Sequence, residues 1–460
     1  MQTRSIAVPR IVIAGLAGDS GKTLVATGII RALFRRGIRV APYKKGPDYI
    51  DPAWLGAAAG RPARNLDTYL MSDAALRASL ADGADADLAI IEGNRGLFDG
   101  MDAQGSHSTA ELARRLQTPV ILVIDVSKST RTIAALVLGC LALDPGLQLA
   151  GVVLNRVGTP RQEQLIRDAL AHATTVPVLG AIPRLKTEVF PSRHLGLVLP
   201  DERQDRDQVL DQMANAVDEG LDWEAILHFA SAAPPLRCEA AGATRPSVTS
   251  RPTLGYLKDE AFCFYYSENL AALEAAGATL VPVSPIHDRA LPAIDALYAG
   301  GGYPEQHAAA LSANVAFRST LAARIASGLP VWAECGGLMY LASRLSVKGT
   351  PFPMVGALQI AVEQTGCTQG HGYVAATVDA ENPFLQTGTR LRGHEFHYSK
   401  LAESTRPLTT ALSLGRGVGV GDGRDGIVQG RVFASYMHVF APGTPAWAPA
   451  LVRLAHEARQ

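Results

Sequence analysis

The sequence predicts an α/β fold made of two domains with a linker between them. Short apolar runs rich in Val and Ile alternate with amphipathic segments of helical period in both halves of the chain. This alternation is typical of parallel sheets that carry helices on both faces. It stops at residues 232–252, which are rich in Pro, Ala, Ser and Thr. A length of 460 residues agrees with two large domains, and we predict them at 1–231 and 253–460.

The first domain begins with a strand, a turn and a helix. The apolar run 11–14 predicts the strand, because buried parallel strands are short and continuously apolar. In the helix predicted at 24–36, Val25 and Ile29 lie on one face, and Gly37 ends the helix. The other strands predicted in this domain are 39–42, 88–91, 120–124 and 151–154.

A second α/β series follows the linker. Its apolar runs predict strands with helices between them, as in the first domain. Beyond about residue 350 the pattern becomes richer in strands. The predicted strands of the series are 253–257, 279–283, 296–299 and 330–333.

Composition and charge exclude several classes of protein. The chain has 43 basic and 43 acidic residues, so it lacks the positive charge typical of a general nucleic-acid binder. The longest charge-free apolar stretch, residues 132–143, is much shorter than the roughly 20 residues that a membrane helix needs. The early apolar run leads into a polar loop without a cleavage-like site, which argues against a signal peptide. We therefore expect a cytoplasmic protein without nucleic-acid or membrane partners.

The five cysteines support a reducing compartment. They contain no CxxC pair and their number is odd, which argues against a disulfide framework or a zinc site. A free cysteine is most often a small buried apolar residue. We expect that structural role for four of them, namely Cys140, Cys238, Cys263 and Cys367.

Residues 15–23 predict a phosphate-binding loop. They read Gly-Leu-Ala-Gly-Asp-Ser-Gly-Lys-Thr between the first strand and the first helix. Backbone N–H groups of such a loop cradle phosphates, Lys22 reaches the outer phosphates, and the Thr23 hydroxyl binds Mg²⁺. The strict pattern has glycine where this chain has Leu16, so a glycine-rich turn without ligand is the alternative. The residues expected to bind ATP phosphates are Gly18, Asp19, Ser20, Gly21, Lys22 and Thr23.

Two aspartates and a lysine follow the strand predicted at 39–42. Lys44, Asp48 and Asp51 surround a Gly-Pro turn in the run Lys-Lys-Gly-Pro-Asp-Tyr-Ile-Asp-Pro. Such carboxylates can hold Mg²⁺ and position a carboxylate substrate near the γ-phosphate, with Lys44 at the phosphates. The alternative is that the aspartates cap the helix that follows.

Three further polar residues lie at or beyond predicted strand ends. Glu92 ends the strand predicted at 88–91, where open parallel sheets bind ligands, and is a candidate second magnesium ligand. Asp99 lies in the loop that Glu92 opens, and we assign it with Asp48 and Asp51 to a substrate carboxylate. Asn155 follows the last predicted strand and is placed to meet a nucleotide base, although a structural turn residue is an equal alternative.

Cys335 differs from the other cysteines in its surroundings. It follows a short apolar strand and precedes two glycines and a helix, in Ala-Glu-Cys-Gly-Gly-Leu-Met-Tyr. This shape resembles a nucleophile elbow, in which a tight turn exposes the reactive side chain. The helix N-terminus is expected to lower the pKa of the thiol. The alternative is a buried structural cysteine.

A nucleophilic cysteine needs a base and an oxyanion site. His438 ends a late predicted strand and is the candidate base. The glycine turn that contains Gly301 and Gly302 offers backbone N–H groups for an oxyanion, together with the N–H of Gly336 after the cysteine. The run Arg-Gly-His-Glu-Phe-His-Tyr-Ser at 392–399 contains two histidines, but it reads as a strand and we do not expect a metal there.

Several motifs together resemble one family of enzymes. The resemblance spans nearly the whole chain in the expected order, and the family is that of the cobyrinic acid a,c-diamide synthases. The motifs are KKGPDYIDP, NLDTYLM, PSRHLGLV, GGGYPE, AECGGLMYL, RGHEFHYS and SYMHVF.

The resemblance implies a reaction and a set of partners. It implies an N-terminal ATP-dependent amidoligase domain, related in fold to dethiobiotin synthetase, and a C-terminal class I-type glutaminase domain. Cys335 attacks the side-chain amide of glutamine with His438 as its base. ATP and Mg²⁺ convert a substrate carboxylate to an acyl phosphate, which ammonia then amidates. Two acetate side chains of a tetrapyrrole, a and c, become amides, and family habit suggests a homodimer.

Departures from the family pattern leave the substrate open. Most class I glutaminases carry His-x-Glu, whereas here the third residue is Phe440, and the resemblance implies a Cys–His dyad. The loops GLAGDSGKT and EGNRGLFDG look like the branch found beside dissimilatory sulfite reductase genes, which is thought to amidate sirohaem. Cobyrinate, hydrogenobyrinate and sirohaem all remain candidates. A reading from another class is a nucleotide switch or tetrapyrrole carrier, which would not need Cys335 with His438.

Overall fold

A computed structural model of the protein describes residues 3–185, 192–193, 196–239, 251–402 and 407–459. Part of the PSRHLGLV motif and residues 240–250 of the predicted linker lie outside these ranges. The chain divides into two compact units, Met1–Gly242 and Ala243–Gln460.

The first unit contains a parallel sheet with helices packed on it. Among the residues described in this unit, seven strands pair in the order β4-β3-β5-β2-β6-β7-β8. The strands of the unit are β1 (Thr3–Ile6), β2 (Arg10–Gly15), β3 (Val40–Lys45), β4 (Arg64–Leu66), β5 (Leu88–Glu92), β6 (Val120–Asp125), β7 (Leu149–Val157), β8 (Val178–Pro183), β9 (Ser192–Arg193), β10 (Gly196–Leu197) and β11 (Leu236–Glu239). Its helices are α1 (Lys22–Arg35), α2 (Ile50–Ala59), α3 (Asp73–Asp82), α4 (Thr109–Arg115), α5 (Thr132–Leu143), α6 (Pro160–Ala173), α7 (Arg206–Asp218) and α8 (Trp223–Ser231).

The position of β2 determines where this sheet can bind a ligand. The chain leaves β2 and builds β3 and β4 on one side, then places β5 beside β2 and continues with β6 on the other side. Open parallel sheets bind ligands at such a reversal, outside the carboxyl ends of the strands. Ile11 and Ile13 of β2 pack with Val25 and Ile29 of α1 in one buried cluster, which fixes the loop between them at this edge.

Part of the predicted linker belongs to the first unit. Residues 236–239 form β11, which pairs antiparallel with β1. The fully buried Arg10 guanidinium donates to the carbonyl of Pro234 at 2.6 Å. The low content of large apolar residues predicted a linker at 232–252, but a short strand needs few apolar residues when a pairing partner satisfies its backbone.

The second unit contains a mixed sheet. Its order among the described residues is β14-β12-β15-β17-β26-β25-β24-β21-β22-β27, parallel from β14 to β26 and antiparallel beyond. The strands are β12 (Thr253–Leu257), β13 (Phe262–Phe264), β14 (Thr279–Val283), β15 (Ala296–Ala299), β16 (Gly301–Gly302), β17 (Val331–Glu334), β18 (Arg344–Val347), β19 (Thr350–Pro353), β20 (Ala361–Gln364), β21 (Gly370–Val378), β22 (Arg390–His397), β23 (Ser399–Leu401), β24 (Thr410–Arg416), β25 (Arg424–Gln429), β26 (Val432–Ser435) and β27 (His438–Val439). The helices are α9 (Ser267–Ala275), α10 (Ala308–Ala313), α11 (Val315–Ala326), α12 (Gly336–Leu341) and α13 (Trp447–Glu457).

The structure confirms the predicted fold class and most predicted strands. The bounds of β12, β14 and β15 are those predicted, and the strand-rich region beyond residue 350 supplies the antiparallel half of the sheet. β3 extends to Lys45 and β7 to Val157, beyond their predicted ends. These extensions place polar residues within strands, where hydropathy alone predicts loops.

The longest charge-free apolar stretch, residues 132–143, was predicted to be too short for a membrane helix, and it forms α5. Along the described ranges, every helix is too short or too polar to span a bilayer. α5 itself has 12 residues.

Candidate active sites

The predicted phosphate loop connects β2 to α1. Asp19 and Gly21 have φ angles of 56° and 90°, so the chain turns sharply before α1 begins at Lys22. The backbone N–H groups of the first turn of a helix have no partner within the helix, and they attract anions. Lys22 is 8% exposed, and burial and the nearby Lys44 ammonium both lower its pKa. The loop therefore combines backbone donors with a poorly solvated cation.

Asn155 supports this loop from behind. Its Nδ2 donates to the carbonyl of Ser20 at 2.9 Å, and its Oδ1 accepts from the Arg156 N–H. A Cβ added at Gly21 would lie 2.0 Å from Asn155 Nδ2, so the glycine permits this close approach. The side chain is 3% exposed. Its amide therefore holds the loop, as the structural alternative predicts, and contact with a nucleotide base stays a prediction.

Lys44 is the centre of the charged groups at this edge. Its Nζ lies 2.5 Å from Asp51 Oδ2 and 2.9 Å from Glu92 Oε1, and it also donates to the carbonyl of Gly93. Burial alone would lower the pKa of Lys44, but the carboxylates of Asp51 and Glu92 outweigh it and raise the pKa. The ammonium is therefore a permanent cation at the carboxyl ends of β3 and β5.

Glu92 and Thr23 lie together beside Lys44. The Thr23 hydroxyl donates to Glu92 Oε1 at 2.6 Å, and the carboxylate is fully buried. Burial raises the pKa of Glu92 despite the nearby Lys44 ammonium. Within the described part of the chain, Glu92 Oε2 has no hydrogen-bond partner. A buried carboxylate oxygen that lacks a partner beside a hydroxyl fits a divalent cation, because hard cations take oxygen ligands.

The other predicted carboxylates have different positions. Asp48 Oδ1 accepts from the N–H groups of Ile50 and Asp51 at 2.8 and 3.2 Å, so it caps α2 as the alternative interpretation predicted. Burial and the nearby Asp51 carboxylate raise the pKa of Asp48 to about 7. Asp99 is exposed and its Oδ2 accepts from the Gly96 N–H at 2.9 Å, within the loop that follows Glu92.

In the second unit, Cys335 lies at the predicted elbow between β17 and α12. Its φ and ψ angles are 46° and −97°, a conformation that costs a non-glycine residue about 1–3 kcal/mol and is typical of functional sites. Hydrogen bonds hold the turn on both sides, since its N–H donates to Ser435 O at 2.7 Å and its carbonyl accepts from Met339. The thiol contacts the carbonyl of Phe396 at 3.9 Å.

The expected low pKa of the Cys335 thiol is wrong for the structure as it stands. Burial raises the pKa above its ordinary value, and the Glu305 carboxylate adds to the increase. The N–H of Gly336 lowers the pKa but does not offset these effects. The residue is 7% exposed, and desolvation of a thiolate outweighs one turn of helix. The resting nucleophile is therefore a neutral thiol.

His438 and the predicted oxyanion glycines come together next to this elbow. A Cβ added at Gly301 would lie 2.6 Å from His438 Cε1, and a Cβ added at Gly336 would lie 3.1 Å from Gly302 N. The glycine turn therefore lies between the imidazole and the residue that follows Cys335. Predicted base, nucleophile and backbone donors occupy one place at the carboxyl ends of β15 and β17.

Glu334 belongs to this site and was not predicted. It ends β17, directly before Cys335, and it is fully buried. Its Oε1 accepts from the indole of Trp332 at 3.0 Å and the N–H of Val439 at 3.2 Å. Its Oε2 accepts from the hydroxyl of Tyr298 at 2.9 Å. A glutamate within an apolar strand was the sequence signal for this site.

The two histidines of the 392–399 run have separate partners. His394 Nδ1 contacts the hydroxyl of Tyr266 at 3.1 Å, and its ring stacks on His438. His397 Nδ1 contacts the carbonyl of Ser399 at 2.7 Å, and its ring stacks on Tyr436. Among the residues that the structure describes, no group of three metal-ligating side chains comes together.

The remaining cysteines partly depart from their expected structural role. Cys140 and Cys238 are buried as predicted, Cys263 is half-buried, and Cys367 is exposed. Cys367 lies in the connection between β20 and β21, where the Gln369 amide contacts its sulfur at 3.3 Å. Composition could not show that this cysteine follows a strand rather than lying within one.

Family comparisons match both units. Residues 11–195 match a family model described as a CobQ/CobB/MinD/ParA nucleotide binding domain. Residues 253–445 match one described as a CobB/CobQ-like glutamine amidotransferase domain. The phosphate loop and Glu92 lie in the first match, and Cys335 and His438 lie in the second.

Curated proteins resemble the chain over nearly its whole length. A cobyrinate a,c-diamide synthase of Magnetococcus marinus is 41% identical over 456 residues, which cover 98% of each chain. The protein of the same name from Syntrophotalea carbinolica is 43% identical over 451 residues, covering 96% of this chain and 98% of that one. The one from Methanothermobacter thermautotrophicus is 39% identical, covering 97% of this chain and 100% of that one.

Proposed function

This chain belongs to the cobyrinate a,c-diamide synthase family, and we propose that it uses glutamine and ATP to amidate the a and c acetate carboxylates of a tetrapyrrole. The observation that carries this proposal is the presence, in one chain, of a thiol elbow with a facing histidine and a phosphate loop with two buried lysines. The first set of groups suits amide hydrolysis, and the second suits phosphoryl transfer.

The glutaminase step takes place at Cys335. His438 accepts the thiol proton as sulfur attacks the side-chain amide carbon of glutamine. The N–H groups of Gly302 and Gly336, with Gly301, stabilise the negative charge on the amide oxygen in this proposal. The short distance of 3.1 Å between a Cβ added at Gly336 and Gly302 N supports it. The C–N bond then breaks, and the leaving nitrogen takes the proton from His438 and departs as ammonia. Water hydrolyses the thioester, which yields glutamate and restores the thiol.

The amidoligase step takes place at the phosphate loop. A substrate carboxylate oxygen attacks the γ-phosphorus of ATP, and the bond to the ADP oxygen breaks, which leaves an acyl phosphate. Ammonia attacks the acyl carbon and expels inorganic phosphate, so each turnover yields one amide. Lys22 and Lys44 neutralise phosphate charge that would otherwise repel the attacking carboxylate.

Magnesium would be held in this unit by Thr23 and Glu92, with Asp48 as a further candidate ligand. The partnerless Glu92 Oε2 and the adjacent Thr23 hydroxyl support this assignment. The cation supplies charge stabilisation to the phosphate oxygens when it is bound. Asp51 and Asp99 are proposed to act nearer the substrate carboxylate, where Asp51 already contacts Lys44.

A second candidate substrate is sirohaem. The departures that favour it lie at the ligand edge of the sheet, in the loops 15–23 and 92–100. In the second loop, Arg95 is exposed and has a φ angle of 50°. Burial lowers the pKa of Lys45, and the charge of Arg95 adds to the decrease. The Arg95 cation at this edge suits a substrate with many carboxylates, and both cobyrinate and sirohaem are substrates of this kind.

Mass spectrometry of the products distinguishes the candidates. The protein is incubated with glutamine, ATP and Mg²⁺ and with cobyrinic acid, hydrogenobyrinic acid or sirohaem in parallel reactions. Two amidations of cobyrinic acid are expected, and amidation of sirohaem alone would replace that substrate assignment. A nucleotide switch or carrier would hydrolyse no glutamine and amidate nothing.

The Cys335→Ser variant tests the division of labour between the units. Glutamine-dependent amidation is expected to fall by about 10³-fold or more, because the serine hydroxyl is a much weaker nucleophile. Ammonium chloride should restore amidation to the wild-type level. Full glutamine-dependent activity of this variant would show that the Cys335 assignment is wrong.

A further inference from the structure

We infer that Glu334 is the positioning residue of the glutaminase site, which holds the His438 imidazole so that its Nε2 can accept the proton of Cys335. The inference rests on the proposed glutaminase function. It replaces the two-residue arrangement expected from the sequence with a Cys–His–Glu triad, whose carboxylate comes from the residue directly before the nucleophile.

The carboxylate lies on the Nδ1 side of the imidazole. Glu334 Oε2 is 3.5 Å from His438 Nδ1, and both side chains are at most 2% exposed. A buried carboxylate is an acceptor only, so the stable arrangement places a proton on Nδ1. The second nitrogen, Nε2, then carries a lone pair. Catalytic contacts of this kind are often long in the absence of substrate and shorten when it binds.

The Cε1–Nε2 edge of the imidazole lies next to the glycine turn. A Cβ added at Gly301 would lie 2.6 Å from His438 Cε1 and 3.5 Å from its Nε2. Gly301 belongs to the glycine turn next to the nucleophile elbow. The imidazole therefore lies with Nδ1 towards Glu334 and with its Cε1–Nε2 edge towards the glycine turn beside the nucleophile elbow.

Three donors fix the carboxylate itself. The indole of Trp332, the N–H of Val439 and the hydroxyl of Tyr298 each donate to it. Burial and the Glu334 carboxylate raise the pKa of Tyr298 well above its ordinary value, so the phenol keeps its proton and remains a donor. Asn269 Nδ2 contacts both Tyr298 Oη and the carbonyl of Val439, which ties two of these donors together.

The ring plane of His438 is also fixed. His394 stacks on it with a centroid separation of 4.8 Å and an interplanar angle of 18°. Burial and the neighbouring His438 lower the pKa of His394, so it remains a neutral stacking partner. Phe440, two residues after His438, packs against Tyr266 and offers no carboxylate. The stacking partner therefore fixes the ring plane, and Glu334 is the carboxylate that lies at Nδ1.

Glu334→Gln is the decisive variant. A glutamine amide keeps the shape of the side chain but can donate to Nδ1, which would place the imidazole proton on Nε2, the wrong nitrogen for a base. We expect kcat for glutamine hydrolysis to fall by about 10²- to 10⁴-fold with KM changed less than about twofold. Amidation with ammonium chloride should remain at the wild-type rate.

The matched control is Glu395→Gln. Glu395 is also buried, accepts from two backbone N–H groups at Val418 and Gly419, and lies 3.7 Å from an imidazole, that of His397. It does not contact His438, so glutamine hydrolysis should change by less than about threefold. An equal loss in both variants would contradict a specific role for Glu334.

The tautomer of His438 gives a readout that does not depend on a variant folding. In the wild-type protein labelled with ¹⁵N-histidine, the His438 resonances should show the proton on Nδ1, and in Glu334→Gln on Nε2. A wild-type proton on Nε2, or kcat of Glu334→Gln within threefold of wild type, overturns the inference. A wild-type protein that hydrolyses no glutamine at all overturns the proposed function instead.

If Glu334→Gln also loses ammonia-dependent amidation, Tyr298→Phe takes its place. This variant removes one donor from Glu334 Oε2 and leaves the carboxylate in place. Loss of one hydrogen bond to a charged group corresponds to about a tenfold fall in kcat for glutamine hydrolysis. An unchanged kcat in this variant would count against the network.

Discussion

The phosphate-loop site contains two buried lysines, Lys22 and Lys44, beside two carboxylates. In the thiol site the nucleophile, Cys335, is neutral and lies among backbone groups. Lys44 touches both Asp51 and Glu92, and each of these contacts is 2.5–2.9 Å. Cys335 has the carbonyl of Phe396 as its polar contact, and burial raises its pKa. Burial opposes charge in both units, but in the first unit the carboxylates outweigh it and Lys44 stays charged.

The difference follows from what each site has to bind. A site for a polyphosphate needs cations before the ligand arrives, and buried cations are tolerated only when carboxylates compensate them. A thiol that waits for a neutral amide needs no charge until the substrate is bound. Its proton can leave when a base is in place, so the base must be fixed in advance. We regard the rigid surroundings of His438 as the counterpart of the charge pairs around Lys44.

Lys22→Met tests whether the charged site acts independently of the thiol site. Loss of this ammonium should lower ATP-dependent amidation by about 10²- to 10³-fold with either glutamine or ammonia, because phosphate charge is no longer neutralised. Glutamine hydrolysis measured without ATP should stay within about threefold of wild type.

The control for this variant is Arg39→Met. Arg39 is an exposed cation of the same unit, and its partner is Asp87. It should leave both activities unchanged. Equal losses of amidation and basal hydrolysis in Lys22→Met would show that the two sites cannot be treated separately.

The sequence allowed the strands and the main reacting groups to be predicted because these depend on local patterns. A short apolar run such as 253–257 favours a buried strand, and Lys22 and Cys335 are marked by the glycines around them. Their surroundings depend on strand order, which brings Tyr298 of β15 and Val439 of β27 to the Glu334 carboxylate.

The errors have the same origin. The contact between Asn155 and the Ser20 carbonyl was not predicted because the sequence does not show that the two residues are neighbours. The pKa of Cys335 was expected to fall because a helix start is visible in the sequence and burial is not. Glu334 was missed because its partners are distant in the chain. Contacts over long sequence separation, rather than local propensity, decided each of these cases.

Arg10→Ala examines how buried charge stabilises the first unit without any catalytic role. The guanidinium is fully buried and donates to carbonyls that are far apart in the sequence, including those of Leu116 and Pro234, and burial lowers its pKa to about 10. Its removal leaves carbonyls without donors and should destabilise the first unit by about 3 kcal/mol. Hydrogen exchange of β1 and β11 amides reports this loss unit by unit.

The matched control is Arg61→Ala. Arg61 forms an exposed pair with Asp85 at 3.0 Å, and such pairs contribute about 0–1 kcal/mol. Protection of the amides in the second unit should be unchanged in both variants. If Arg10→Ala were no worse than Arg61→Ala, buried charge would have no structural role in this unit outside the active site.

Asp48→Asn gives the smallest expected effect and tests whether the charged site carries a cost in stability. The folded-state pKa of Asp48 is raised to about 7 from an ordinary value of 3.8, so folding favours the protonated form. The stability that this proton contributes is present below pH 3.8 and is lost as the pH rises towards 7.

Asparagine caps a helix about as well as aspartate and never ionises. In urea unfolding, the gain in stability should therefore be about 2–3 kcal/mol larger at pH 8 than at pH 5, while ATP-dependent amidation falls. Asp87→Asn is the control with a pKa shift of opposite sign, because the hydrogen bond from Arg39 lowers the pKa of Asp87. Substitution of Asp87 should therefore bring no gain in stability at pH 8. A gain in stability for Asp48→Asn that did not depend on pH would mean that the fold does not disfavour the ionised Asp48 carboxylate. The contrast between the two sites would then depend on Lys44 and Glu92 alone.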